Sequence, residues 1–105
     1  MKFTDKDKKY LLEKIYGGIE QTFKEDLPQI EEAAEVTKYS LVKYEEDNWR
    51  GKYTEHRISK TAAIKLVGRE GWLSGLARSA FHWTACRQLD DKRREVWFDS
   101  KKLFR

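Results

Sequence analysis

One stretch limits what this chain can fold into more than any other: GREGWLSGLARSAFHWTACR, from Gly68 to Arg87. Asp, Glu, Lys and Arg make up 38% of the 105 residues, yet between Gly71 and Cys86 the only formal charge is Arg78. The same segment holds one of the two histidines, the one cysteine and two of the four tryptophans. It is too short for a membrane span and carries Arg78 and His82 inside it. A chain of this length buries roughly two-thirds of the surface that its unfolded form exposes. The low-charge stretch is therefore expected inside the fold or at an interface.

Steps of 100° along a helix from Gly71 to Gln88 gather Leu73, Leu76, Ala77, Ala80 and Thr84 on one arc. Trp72 and Trp83 flank that arc on one side and Phe81 on the other, which describes a core face. The opposite face carries Ser74, Gly75, Arg78, His82, Ala85 and Cys86, where a solvated helix would show Lys and Glu. Small residues let another backbone come close, so this face is expected to be covered by the fold or by a partner.

Around this helix the chain reads as α+β. Thr4 is placed to cap a first helix, with Asp5 and Asp7 in its first turn. Leu12, Ile15, Tyr16, Ile19 and Phe23 continue as one apolar stripe, interrupted by Gly17-Gly18. Pro28 ends or restarts that run, with Asp26 as a second cap and QIEEAAE as a short second helix. VTKYSLVKYEE and KYTEHRI read as a β-hairpin joined by DNWRG. Ser59 caps KTAAIKLV, Gly68 ends it, and the low-charge helix follows. DDK then turns the chain into REVWF, a C-terminal strand that completes a small antiparallel sheet. The expected layout is an N-terminal helix with a short second helix, a β-hairpin, two consecutive helices and a last strand, all in one domain over residues 1–105.

Charge is unevenly spread. Residues 1–35 hold six lysines against nine acids, net −3 and without arginine, while residues 36–105 are net +7 and hold all eight arginines. Arginine offers a planar fork suited to carboxylate or phosphate, which points to an anionic partner or a self-complementary fold. Trp49-Arg50 at the hairpin tip is a pairing enriched at binding hot spots. Arg57, Arg69, Arg78, Arg93 and Arg94, with His82, complete the candidate binding residues.

Catalysis and cofactors find no support in the motifs. His82 and Cys86, four apart on one helical face, have the spacing of a ligand pair or a Cys–His couple, but no paired short ligand spacing accompanies them. GWLSGLA is not a nucleophile elbow, and GREG lacks the glycine pattern and lysine of a phosphate loop. A helix-turn-helix reading of residues 59–87 fails at the second helix, which starts with Trp72, Leu73 and Gly75 and no base-reading side chain. No metal and no cofactor is expected. MKFTDKDKKY lacks the apolar run of a signal peptide, and one cysteine forms no internal disulfide, so the cytoplasm is the expected location.

These features describe a small non-enzymatic accessory protein that binds or inhibits a protein partner, a nucleic-acid-handling enzyme in particular. Phages and mobile elements encode many proteins of this type, anti-CRISPR and other anti-defence inhibitors among them. Direct nucleic-acid binding through the arginines and exposed aromatics is the alternative. A small enzyme dependent on Cys86 is the second alternative. No membrane partner is expected, and the oligomeric state is open.

Overall fold

The chain begins with helix α1 (Asp5–Tyr10), which runs into one π-helical turn, Leu11–Ile15. Helix α2 (Glu20–Val36), strands β1 (Lys38–Tyr44) and β2 (Tyr53–Ile58), and helix α3 (Lys60–His82) follow. Strands β3 (Thr84–Gln88) and β4 (Arg94–Asp99) and a short 3₁₀ turn, Lys101–Leu103, complete it. The structure is a computed structural model and describes residues 3–45, 52–89 and 93–104. It has the α+β fold expected from the sequence, with a fully antiparallel sheet in the order β2-β1-β4-β3.

Local chemistry sets the helix ends. Thr4 and Asp7 form a reciprocal capping box: the Asp7 N–H donates to Thr4 Oγ1 at 3.1 Å, and the Thr4 N–H donates to Asp7 Oδ2 at 3.0 Å. Ser59 Oγ accepts the Ala62 N–H at 3.1 Å and caps α3. Gly17 and Gly18 take φ of +59° and +83°, and the Gly18 N–H reaches back to the Leu12 carbonyl at 2.7 Å. That six-residue closure ends the helix and splits the apolar stripe drawn across the pair. Phe23 is buried, whereas Ile15 and Ile19 are exposed.

Three elements differ from the sequence reading. Helix α2 is continuous through Pro28, because Phe23, Leu27, Ile30, Ala33 and Ala34 anchor it on both sides of the proline. The helical segments either side of Gly68 form one kinked element; Gly68 sits at φ 80° and ψ 162°, a conformation essentially reserved for glycine. Helix α3 stops at His82, and Thr84–Gln88 is a strand. The backbone there pairs with β4 along Thr84↔Asp99, Cys86↔Trp97 and Gln88↔Glu95, and this ladder outweighs a weak helical period. The sheet therefore has a fourth strand.

Helix α3 lies between the sheet and the N-terminal helices. Gly75 meets the sheet so closely that an added Cβ would stand 2.4 Å from Cζ of Phe98. Trp72 is fully buried beside it, donates its indole N–H to the Tyr39 hydroxyl at 2.9 Å, and receives the edge of Phe3. Leu73, Leu76, Ala77 and Ala80 are buried as the projection required. A buried hydroxyl chain, Thr37–Ser100–Ser79 with O···O distances of 2.6 and 2.7 Å, ties β1, β4 and α3 together. Asp7 on α1 binds Arg69 on α3 through two hydrogen bonds of 3.0 and 2.7 Å, and the guanidinium stacks on Trp72 at 4.8 Å.

Alternation then sorts the strand residues. Tyr39, Leu41, Lys43, Ile58, Ala85, Val96 and Phe98 share the side that meets α3. Ser40, Val42, Tyr44, Tyr53, Arg57, Cys86 and Trp97 share the other side, on which no described helix is packed.

Candidate binding surface

The open side of the sheet is built around Val42. This residue is fully buried, and aromatic rings from three strands gather on the same side of the sheet. Tyr53 contacts Tyr44 at 5.8 Å and Trp97 at 5.4 Å between ring centroids. Glu95 holds the group in place: one carboxylate oxygen accepts from the Tyr44 hydroxyl at 2.8 Å and from the Trp97 indole N–H at 3.2 Å. Burial together with that carboxylate pushes the Tyr44 pKa up to about 12, so the phenol remains a donor at neutral pH. Tyr53 keeps 49% of its surface exposed, which leaves an aromatic face toward solvent.

A groove begins at Trp97 and wraps the β3 edge. It is lined by Glu55 and Arg57 of β2, Thr84, Ala85 and Cys86 of β3, Trp97 and Asp99 of β4, with Arg78 of α3 and Lys101. Three cations and two carboxylates thus surround an indole. Neither Arg57 nor Arg78 has an ion-pair partner among the described residues. Two guanidinium forks are left pointing into one groove with their hydrogen-bonding capacity unspent.

Trp83 immediately precedes Thr84, which lines this groove. It is 55% exposed and is the one described non-glycine residue with a positive φ, at 68° with ψ of −46°. A bulky side chain in that region costs about 1–3 kcal/mol. The fold fixes it there: the Trp83 carbonyl accepts the Ser100 N–H at 2.7 Å, so α3 must end abruptly for β3 to pair with β4. The ring itself touches only Phe104 among the aromatic contacts described, at 5.8 Å.

The candidate residues taken from the sequence are distributed as follows. Arg57 and Arg78 come together at the groove. Arg69 is engaged with Asp7 and Trp72, an intramolecular role. Arg93 and Arg94 sit where β4 begins, and His82 is exposed in the last turn of α3. Trp49 and Arg50 lie outside the described residues. The expected stripe of Arg78, His82 and Cys86 does not exist, since Cys86 belongs to a strand and shares no helical face with His82. Partial burial, followed by the charge of Glu95, pushes the Cys86 thiol above its ordinary value despite Arg78 nearby. A nucleophilic cysteine needs the opposite shift.

Sequence reasoning missed Trp83, Trp97, Tyr53 and Lys101. Alternation in REVWF could have placed Trp97 beside Glu95 on one face. Nothing local marks Trp83, whose exposure follows from a strand pairing sixteen residues long in chain terms, Thr84 to Asp99. Among the described residues, no three His, Cys, Asp or Glu side chains cluster to hold a metal ion, and no helix is long and apolar enough to cross a membrane. The chain matches no protein-family model, no curated protein and no solved structure.

Proposed function

We propose that this chain is a non-enzymatic protein-binding module that seats a partner protein on Trp83 and in the groove lined by its chain neighbour Thr84 with Trp97, Arg57 and Arg78. The observation that carries the reading is Trp83: an indole left more than half exposed on a backbone that disfavours it. Strand pairing sets that backbone, and the indole that it turns outward is of the type that anchors in a partner's pocket. Aromatic and arginine side chains are the types that dominate such contacts. The mixed charge of the groove supports a protein over a nucleic acid here, because nucleic-acid interfaces are much more uniformly positive. Inhibition of a nucleic-acid-handling enzyme in the cytoplasm, of the anti-defence kind, is the specific form of the activity that we propose.

Immobilised chain and native-cell lysate test this reading, followed by size-exclusion chromatography of whatever complex is recovered. Wild type should give a stoichiometric complex that Trp83→Gly and Arg78→Ala each weaken at least tenfold. Trp83→Gly should keep its melting temperature within a few degrees, because relief of the backbone offsets the lost ring contact, worth about 0.5–1.5 kcal/mol. A complex indifferent to both substitutions would sink the assignment of this surface.

A further inference from the structure

One edge of the sheet is left open. Strand β2 is the outermost strand beside β1, and all its residues from Tyr53 to Arg57 are exposed. Helix α3 packs chiefly on β1, β3 and β4. The Glu45 N–H donates to the Lys52 carbonyl at 3.0 Å, which sets the phase of the β1–β2 ladder. Bonded positions alternate along an antiparallel pair, so Thr54, His56 and Ile58 turn their backbone groups to β1. Tyr53, Glu55 and Arg57 turn theirs outward, and among the described residues no strand pairs with them. The strand has no lysine, proline or bulge, the devices that commonly blunt such an edge.

We infer that this edge pairs, antiparallel, with the same edge of a second copy of this chain. Outward-facing positions must meet outward-facing positions, which leaves few registers. One of them sets Glu55 against Arg57 of the second copy, and two-fold symmetry repeats the pair as Arg57 against Glu55. Each pair exchanges two backbone hydrogen bonds, and opposite charges then stand side by side on the open side of the sheet. Thr54 faces Ile58 in this register, and His56 meets its own copy at the axis. A slip of two residues either way opposes Glu55 to Glu55 or Arg57 to Arg57, and like charges directly opposite destabilise a sheet. Charge therefore selects one register, and the strand that satisfies it is β2 itself. The other edge, β3, carries no carboxylate and offers no such match. Two four-stranded sheets join into one continuous sheet. Arg57 also lines the partner-binding groove, but the inference stands on the edge alone and does not need that reading.

Sedimentation equilibrium across a concentration series should show a monomer–dimer equilibrium. Arg57→Glu and Glu55→Arg should each weaken it roughly tenfold or more, because each change acts twice across the axis. An equimolar mixture of the two variants should dimerise again, since each supplies the charge that the other needs, and this rescue requires both to be folded. Amide hydrogen exchange should slow at Glu55 and Arg57 on dimerisation and change little at His56, which is already bonded to β1. Trp83→Gly, which tests the partner-binding groove, should leave the dimer intact. A monomer at every concentration, or a mixture of the two charge variants that stays monomeric, would overturn the inference. So would a dimer that Trp83→Gly abolishes, which would mean that the copies meet through the open groove.

Discussion

At the scale of single residues, the molecule turns on glycines whose neighbours leave no choice. Gly75 faces the Phe98 ring, and three ring atoms lie within 2.7 Å of where a Cβ would stand. That ring is fully buried at the middle of the sheet and cannot swing away. Gly75→Ala should therefore destabilise the fold by about 1–3 kcal/mol through overpacking, a fall of roughly 4–20 °C in Tm for a domain of this size. Thermal unfolding followed by near-ultraviolet dichroism of the tryptophans measures it; an unchanged Tm would mean that α3 does not sit this close to β4. The sequence showed Gly75 on an oddly uncharged face and implied that something covers it. It did not show whether the cover was the chain's own sheet or a partner, because only the fold brings residue 98 to residue 75.

At the scale of elements, α1 is fastened to α3 mainly through Asp7. Its carboxylate is buried, capped by Thr4 and gripped by Arg69. The hydrogen bonds from Arg69, aided by those from Thr4, hold its pKa below the ordinary 3.8 against the cost of burial. A depressed folded pKa contributes stability above the unfolded value, and that contribution is lost as pH falls through the lowered folded value. Wild type should thus lose stability below about pH 4, while Asp7→Asn should lose about 2 kcal/mol at pH 7 and then change less on acidification. Urea titrations at pH 7 and pH 3 compare the two; parallel losses in both proteins would rule out Asp7 as the acid-sensitive link. The capping residues Thr4 and Ser59 were legible because caps act within four residues. Strand β3 was not, because Thr84–Gln88 is defined by its ladder with β4 and carries no strong period of its own.

At the scale of the whole molecule, the sheet separates two surfaces of different chemistry. Its open side is aromatic and of mixed charge, and its other side is apolar and packs on α3. Partner binding on the open side should be independent of the Asp7–Arg69 link on the far side of α3. A Trp83→Gly/Asp7→Asn double variant is expected to lose partner affinity by the same factor as Trp83→Gly alone, measured by calorimetry, since sites without shared contacts add. Cross-effects beyond about 0.5 kcal/mol would mean that α3 couples the N-terminal helices to the groove. The acidic N-terminal third was visible as net charge alone. Its place, packed on α3 away from the sheet, is a matter of layer order.

The sequence by itself determined the α+β class, the first hairpin, the Thr4 and Ser59 caps and the burial of Leu73, Leu76, Ala77 and Ala80, because each rests on contacts or periods local in the chain; the cap expected at Asp26 is absent, since α2 already begins at Glu20. It also marked the low-charge stretch for cover by the fold or by a partner; the fold buries Gly71, Trp72, Leu73, Gly75, Leu76 and Ala77 and leaves Phe81, His82 and Trp83 exposed. Tertiary structure alone decided where that stretch stops being a helix. Pairing of Thr84–Gln88 with β4 cut α3 at His82, forced Trp83 outward and carried Cys86 to the open side beside Trp97. A pattern of side chains fixes which face is apolar, but a hydrogen-bond ladder between segments distant in sequence fixes where one element yields to the next, and here that boundary turned Trp83 outward.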